Sequence, residues 1–329
     1  MVENKVEFLS NYRKGTLSQN KNLLYMEDLF LSDSLNDLIP LYEPQLEPEC
    51  VILSPKGKYT PRNALNNLTG TEWIQFTKSW FIHAPPPRNK EEVLHPAKFP
   101  EDLIAKYVEF FTKKGAWVLD PFAGTGSTQV ACEWMGRNAI GIEITPHWAE
   151  IASRRSRNYT IIGDSTRLRE MTLPPFDFCI SSPPYWDMLR HSRGGSDSTH
   201  KDRIAKGLPT HFSEHENDLG NVEEYEAFLA LLLKVYTQVA EKMKPGAYCA
   251  VVMQNIQKEN QQFFPLAWDF ALKMRGCGWK LCQEMVWCQR DKKLGIWGYP
   301  NSYISNVHHH YFLIFRAPNR VNDLKEKDE

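Results

Sequence analysis

Short apolar runs alternate with amphipathic stretches from about residue 73 onward. Apolar runs bounded by turn residues are typical of strands buried on both faces, and apolar residues at three- and four-residue spacing are typical of helices. Strands are predicted at 116–120, 138–144, 159–165, 176–182, 247–253, 280–288 and 308–315. Helices are predicted at 100–115, 127–136, 146–158, 223–243 and 266–278.

This alternation of strands and helices predicts an α/β fold, with a mostly parallel sheet of seven strands and helices on both faces. Residues 1–72 show no sustained period and are interpreted as an N-terminal extension that packs on the domain of residues 73–318. Residues 319–329 are expected to be a flexible tail. Two long polar stretches, 187–222 and 289–306, interrupt the domain, and loops of this length are often functional.

Composition narrows the class of protein. Hydrophobic residues make up 42% of the 329 residues, which excludes a largely disordered chain. The net charge is −1, but residues 1–50 contain nine acidic and four basic residues, so the remainder carries +4. This asymmetry is compatible with a nucleic-acid partner. No membrane span, secretory signal or paired-cysteine motif is evident, and a reducing cytoplasm is the expected location.

The segment VLDPFAGTGSTQVACEWMG places a glycine-containing loop between a strand and a helix. In α/β sheets, ligands bind at the carboxyl ends of strands, beside the free N–H groups of the following helix. A nucleotide site is the rival interpretation, but neither the GxGxxG spacing nor a GxxxxGK[ST] loop occurs.

Acidic residues end three successive predicted strands: Asp120, Glu143 and Asp164. A carboxylate about twenty residues after the loop can accept hydrogen bonds from both ribose hydroxyls. Three such acids suit a nucleoside ligand that carries an amine and a sulfonium better than they suit a phosphate. The alternative for each acid is a cap on the next helix.

A stiff turn, Ser182-Pro183-Pro184-Tyr185, follows the fourth strand. Adjacent prolines fix the backbone and leave carbonyls free to accept hydrogen bonds. A serine hydroxyl and a proline-preceding carbonyl can accept from an exocyclic amino group, which makes its nitrogen lone pair available to a methyl donor. Tyr185 offers a face for stacking an extruded base. An ordinary Pro-Pro loop is the alternative.

Taken together, these motifs resemble the DNA amino-methyltransferase family, over roughly residues 73–316. HPAKFPEDLIAKYVEFF, MVWCQRDKK and HHHYFLIFR resemble further family segments. The resemblance implies a Rossmann-like methyltransferase sheet, S-adenosylmethionine as cofactor with S-adenosylhomocysteine as product, and no metal. It implies catalytic residues Ser182, Pro183, Pro184 and Tyr185. The implied cofactor-binding residues are His95, Asp120, Phe122, Ala123, Gly124, Thr125, Gly126, Ser127, Glu143, Ile144, Asp164 and Ser165.

The expected activity is site-specific methylation of a flipped-out base in double-stranded DNA. Serine before PPY is typical of the N4-cytosine enzymes in this family, so cytosine is favoured, with N6-adenine as the alternative. An RNA or protein N-methyltransferase and an inactive DNA-binding homologue are further alternatives. The cofactor loop precedes the catalytic turn, whereas many SPPY enzymes have the permuted order. A cognate restriction endonuclease stays open as a further partner.

The polar stretches supply the candidate DNA contacts, because arginine and lysine bind phosphates and read guanine. An aromatic residue next to the catalytic turn is added to them. Solvated loop charges are the alternative interpretation. The candidates are Trp186, Arg190, Arg193, Lys201, Arg203, Arg290, Lys292 and Lys293. The run His308-His309-His310 opens a strand, where alternate side chains face opposite sides, so a metal site is not expected there.

Overall fold

The computed structural model describes residues 22–30, 63–86, 99–186, 188, 215–258, 262–289, 292, 294–296 and 298–319. Strands in these ranges are β1 (Leu23–Tyr25), β2 (Trp80–Ile82), β3 (Trp117–Asp120), β4 (Asn138–Glu143), β5 (Tyr159–Ile162), β6 (Phe176–Ser181), β7 (Met243–Met253), β8 (Ile256–Gln257), β9 (Phe263–Phe264), β10 (Lys280–Cys288) and β11 (His309–Arg316). Helices are α1 (Met26–Phe30), α2 (Gly70–Phe76), α3 (Glu101–Phe111), α4 (Ser127–Met135), α5 (Pro146–Arg155), α6 (Tyr225–Lys242) and α7 (Leu266–Gly276). Short 3₁₀ helices occupy Ser165–Glu170 and Leu219–Asn221.

One central sheet runs through the molecule in the order β1-β5-β4-β3-β6-β7-β11-β10-β2. Neighbours from β1 to β7 are parallel, and β11 is antiparallel to both β7 and β10. Strands β8 and β9 form a separate antiparallel pair. The α/β fold with a mostly parallel sheet is therefore confirmed.

The central strands β3, β4 and β6 are buried on both faces, which is why they appear in the sequence as continuous apolar runs. Side chains alternate between the faces, so Val118 and Leu119 of β3 belong to different core clusters. One cluster contains apolar residues of α6 and α7, and the other contains those of α3 and α4.

The predicted number of strands is wrong: seven were expected and the described sheet has nine. All seven predicted strands are present, and the extra two are edge strands, β1 and β2, of three residues each. So short a segment cannot show a period in its sequence. Its pairing depends on a tertiary neighbour, β5 for β1 and β10 for β2.

Strand β1 lies inside the predicted N-terminal extension, so that part of the extension contributes directly to the sheet. The side-chain amide of Asn22 donates to the carbonyls of Ser153, Ser156 and Asn158, at 3.0, 2.6 and 3.0 Å. These bonds fasten the start of β1 beside β5. With this amendment, the domain limits at 73 and 318 stay a prediction.

The helices α2 and α5 begin at residues that are favoured at helix N-termini. Thr69 and Glu72 form a reciprocal capping box at the start of α2. Pro146 occupies the first turn of α5, where its missing N–H costs nothing. Within the described ranges, no helix has the length and apolar character needed to cross a bilayer.

Candidate functional site

The order of the strands determines where the site lies. Strands β3, β4 and β5 follow one another towards one edge of the sheet, and the chain then crosses to β6 on the other side of β3. A crevice opens outside the carboxyl ends of the strands at such a switch point. Asp120, Glu143, Asp164 and Ser182 all lie at or just after the carboxyl ends of these four strands.

The loop after β3 depends on a left-handed glycine. Gly126 has φ +81° and is the N-cap of α4. A Cβ built there would lie 2.8 Å from the Cβ of Ala152 on α5, so a side chain would be excluded by space as well as by φ. The loop backbone is therefore held directly against α5.

Asp120 closes this loop from the strand side. Its Oδ1 accepts from the N–H of Phe122 at 3.0 Å, and its Oδ2 accepts from the hydroxyl of Thr128 on α4. Burial raises the pKa of Asp120 to about 6, and the two hydrogen bonds partly oppose that rise. The carboxylate thus joins β3, the loop and the first turn of α4.

Glu143 faces the same loop from the end of β4. It accepts from the N–H groups of Gly124 at 2.8 Å and Thr145 at 2.9 Å. Burial raises the pKa of Glu143 to about 7, and the charge of Asp218 acts in the same direction. This carboxyl group therefore changes its ionisation near neutral pH.

Asp164 follows β5, and both interpretations from the sequence apply to it. Its Oδ1 accepts from the N–H of Thr166 at 2.8 Å, which caps the 3₁₀ helix. Asp164 also lines the cleft, together with the adjacent Ser165. The hydroxyl of Ser165 donates to the carbonyl of Pro121, which connects this segment to the loop after β3.

A buried ion pair supports the loop from behind. Arg155, in the last turn of α5, pairs with Glu101 in the first turn of α3 and also donates to the carbonyl of Thr125. The hydroxyl of Ser127 donates to the same Glu101 carboxylate at 3.2 Å. The side chains of Arg155 and Glu101 are only 11% and 6% exposed. The ion pair therefore fixes the loop relative to two helices.

The Ser-Pro-Pro-Tyr turn begins directly after β6. The hydroxyls of Ser182 and Tyr185 lie 3.0 Å apart. Burial raises the pKa of Tyr185 above its ordinary value, so the phenol stays protonated at neutral pH. Beneath the turn, the hydroxyls of Ser181 and Tyr236 are 2.6 Å apart, which anchors the end of β6 to α6.

A single cleft of about 400 Å³ brings the two predicted groups together. This volume falls in the range of about 300–1,000 Å³ usual for small-ligand sites. The predicted residues that line it are Asp120, Phe122, Ala123, Gly124, Thr125, Ser127, Glu143, Ile144, Asp164, Ser165, Ser182, Pro183, Pro184 and Tyr185. Gly126 is not a lining residue; its backbone shapes the loop whose other residues line the cleft.

Several lining residues were missed from the sequence. Asp218 and Gln254 are buried and line the cleft, but each comes from a segment without a recognisable motif. Trp287 and His310 also line the cleft, and their rings stack at 4.8 Å with an angle of 26°. Both residues lie in segments that resemble the family, Trp287 in MVWCQRDKK and His310 in HHHYFLIFR.

The structure contradicts the assignment of Trp186 to the DNA surface. Its side chain is 5% exposed and packs edge-on against Tyr225 and Phe264, and its Nε1 donates to the carbonyl of Glu223 at 3.1 Å. A φ of +51° turns this ring inward, away from the neighbouring Tyr185. Trp186 is a core residue because its neighbours supply an apolar pocket that the sequence does not reveal.

Of the other predicted site residues, Lys292 is described, and a further set lies outside the described ranges. Lys292 lines the cleft, and its Nζ donates to the carbonyl of Val307 at 3.0 Å. The remaining predicted residues lie outside the described part of the chain: His95, Arg190, Arg193, Lys201, Arg203, Arg290 and Lys293. Among the described side chains, no three His, Cys, Asp or Glu residues converge as metal ligands do.

The geometry fits S-adenosylmethionine. The loop after β3 lines one side of the cleft through Phe122, Ala123, Gly124, Thr125 and Ser127. Glu143 and Asp164 both place carboxylates on the lining of the same cleft, and carboxylates accept hydrogen bonds from the hydroxyl and amino groups of a nucleoside. The fold and the lining of the cleft are those expected of an S-adenosylmethionine-dependent methyltransferase.

Comparison with known proteins is consistent with this class. A family model described as a DNA methylase matches residues 47–154. The type II methyltransferase M.ScaI of Streptomyces caespitosus is 35% identical over 161 residues, which are 45% of this chain and 49% of that protein. M.BglI of Bacillus subtilis is 33% identical over 96 residues, which are 29% of this chain and 27% of that protein. Over these segments the chain is similar to the N4/N6 amino-methyltransferase family of DNA methylases.

The similarity covers less than half the length of each of these relatives. M.HpaI of Haemophilus parainfluenzae, for example, is 36% identical over 28% of this chain and 28% of its own. Among solved structures, TrmN of Thermus thermophilus gives a TM-score of 0.39 at 12% identity, over 66% of this chain and 48% of that one. TTHA0409, also of Thermus thermophilus and in complex with S-adenosyl-L-methionine, gives 0.32 at 21% identity, over 48% and 54%.

Proposed function

We propose that this protein methylates an exocyclic amino group of a base in double-stranded DNA, with cytosine N4 as the target. The observation that carries the proposal is the common cleft, in which the Ser182–Tyr185 turn faces the carboxylates of Asp120, Glu143 and Asp164. A methyl donor and an acceptor amine could therefore be held side by side. The matching family model, described as a DNA methylase, supports DNA as the substrate.

The chemistry required of the chain is positioning. Bound S-adenosylmethionine supplies an electrophilic methyl group on a sulfonium. Ser182 and a proline-preceding carbonyl accept hydrogen bonds from the target amino group, which makes the nitrogen lone pair available for attack. On transfer, the amino nitrogen would gain the methyl group that the cofactor supplies and would lose one proton to bulk water. The Tyr185 ring offers a stacking face for the base.

The loop between β10 and β11 supports a DNA partner. Three of its described side chains are highly exposed, at 85% for Ile296, 81% for Tyr299 and 90% for Tyr303. Asn306 holds the loop closed by exchanging hydrogen bonds with Gly295 at 2.9 and 2.8 Å. The loop begins at Gln289, which lines the cleft. Apolar side chains at this position can enter the base stack when a nucleotide is extruded.

The deciding experiment combines isotopically labelled S-adenosylmethionine with mixed-sequence DNA, followed by mass analysis of the nucleosides. The expected product is N4-methylcytosine. N6-methyladenine would support the family activity with the alternative target. Label in RNA or protein alone, or no transfer from the intact cofactor, would contradict the proposal. A cytoplasmic location, and a cognate endonuclease acting on the same DNA site, belong to the same proposal as expectations to be tested.

Substitution of Ser182 tests the catalytic turn itself. Ser182→Ala is expected to lower kcat by about a hundredfold, because an acceptor for the target amine is lost. The Kd for S-adenosylmethionine, measured by calorimetry, should stay unchanged. Tyr248→Phe in β7 is the matched control, since this hydroxyl lies outside the cleft. Unchanged turnover in Ser182→Ala would remove the turn from the mechanism.

A further inference from the structure

His310 reaches the catalytic turn from the far side of the cleft. Its Nδ1 lies 3.4 Å from the hydroxyl oxygen of Tyr185, which in turn lies 3.0 Å from the hydroxyl oxygen of Ser182. Three polar groups therefore form a continuous chain that ends at the residue proposed to accept the target amine. His310 comes from β11, so it joins the turn from a distant part of the sequence.

The direction of the hydrogen bonds in this chain is not fixed by the hydroxyls. Either Ser182 or Tyr185 could donate to the other, because each hydroxyl is both a donor and an acceptor. If Ser182 donates to Tyr185, both lone pairs of Ser182 stay available. If Tyr185 donates to Ser182, one lone pair is used and the serine hydrogen points elsewhere in the cleft. The first arrangement suits an incoming amino group, which brings only donors.

We propose that His310 is a positioning residue that sets this direction, with its Nδ1 accepting from Tyr185 and Tyr185 accepting from Ser182. The inference rests on the proposed function, because it concerns how Ser182 meets the target amine. In this arrangement the serine presents lone pairs, and no hydrogen, to the substrate.

The surroundings keep His310 in the required state. Burial, followed by the nearby Lys292 and His309, lowers the pKa of His310 to about 3, so the ring is neutral at pH 7. A neutral imidazole has one nitrogen without a proton, which can accept from Tyr185. The stacking of the ring on Trp287 at 4.8 Å fixes the plane in which that nitrogen points.

Two substitutions separate this role from simple packing. His310→Phe keeps a ring for stacking on Trp287 but removes the acceptor, whereas His310→Asn offers an acceptor near the position of Nδ1. We expect His310→Phe to lower kcat about tenfold, the effect of one lost hydrogen bond. We expect His310→Asn to recover most of that loss, with the Kd for S-adenosylmethionine unchanged in both. His308→Phe, on an exposed neighbour, is the matched control.

A double-mutant cycle with Tyr185→Phe tests whether the groups act as one chain. If they do, His310→Phe combined with Tyr185→Phe loses no more activity than the worse single variant, because either change already breaks the chain. Multiplying losses would overturn the proposal. So would an asparagine variant that is no better than phenylalanine.

A measurement independent of activity separates failure of this inference from failure of the proposed function. Nitrogen NMR of ¹⁵N-histidine-labelled protein should show an unprotonated Nδ1 for His310 at pH 7, whose resonance shifts in Tyr185→Phe. A protonated Nδ1 would overturn the inference even in an enzyme that methylates DNA. Absence of DNA methylation with the expected resonance would instead overturn the proposed function and leave the hydrogen-bond direction established.

Discussion

The backbone N–H of Gly124 donates a hydrogen bond to Oε2 of Glu143 at 2.8 Å. This bond joins the loop after β3 to the end of β4, so the same carboxylate that is proposed to hold the ribose also shapes the loop proposed to hold the methionine part. On that proposal, cofactor binding and the geometry of the loop depend on the same side chain.

The ionisation of Glu143 leads to a prediction about pH. Burial raises its pKa to about 7 in the free protein, so at pH 6 the carboxyl is mostly protonated. Ribose hydroxyls bind better to the carboxylate, and a ligand that prefers the ionised form must displace this proton. The Kd for S-adenosylmethionine should therefore fall by about tenfold between pH 6 and pH 8 and then level off.

Calorimetry in buffers of different ionisation enthalpy would count the proton released on binding. Glu143→Gln keeps the shape of the side chain without its titration, so its Kd should be weaker and much less dependent on pH in this interval. A wild-type Kd that does not change between pH 6 and pH 8 would contradict the role assigned to Glu143.

Gly126 gives a prediction about stability. Gly126→Ala forces a Cβ to within 2.8 Å of the Ala152 Cβ at a φ of +81°. We expect the free energy of unfolding to fall by about 2–4 kcal/mol from the combined strain and crowding. Gly136→Ala is the matched control, with φ +68° and no atom near the new Cβ, and should lose about 1–2 kcal/mol. Equal losses in urea titrations would show that contact with Ala152 is unimportant.

The ion pair behind the loop gives a prediction about both stability and binding. Glu101→Met leaves Arg155 buried beside an apolar side chain, so unfolding should become easier by about 3–5 kcal/mol. The double variant Glu101→Met with Arg155→Met removes both charges and should be more stable than Glu101→Met alone. Both variants should bind S-adenosylmethionine more weakly, because the support at Thr125 and Ser127 is lost. A double variant less stable than the single one would contradict this account.

The burial of Trp186 distinguishes a core residue from a DNA contact. Trp186→Ala should lower the free energy of unfolding by about 3–5 kcal/mol, as for other large aromatic truncations in a core. Trp134→Ala, at a side chain that is 60% exposed, is the control and should change it by less than about 0.5 kcal/mol. Trp186→Phe should keep DNA affinity in a gel-shift titration. Loss of DNA binding at unchanged stability would restore the interpretation made from the sequence.

Most of the fold could be predicted because its signals are local. The strands that contain Val118 and Phe178 are buried on both faces, so each appears as an apolar run without reference to its partner. The helices are equally predictable from their apolar spacing, and α4 begins at Ser127 as predicted. The edge strands could not be found this way, because three residues carry no period and their pairing is a long-range event.

The site was partly predictable for the same reason. The cofactor loop and the catalytic turn have local motifs, and both follow directly from a strand. Asp218 and Gln254 reach the cleft from distant segments that contain no recognisable motif. Trp186 was misplaced because its neighbour in sequence, Tyr185, faces the cleft while its own backbone turns the ring into the core.

By itself, the sequence determined the class of fold, the motifs and their order along the strands, since these depend on periodicity and on residue chemistry at a few positions. Only the tertiary structure decided that Ser182, Tyr185 and His310 form one chain of hydrogen bonds, and that Gly124 and Glu143 are paired. These contacts join segments that the sheet brings together. The direction of the hydrogen bonds and the ionisation of the side chains that form them depend on burial. Burial is a property of the packed molecule.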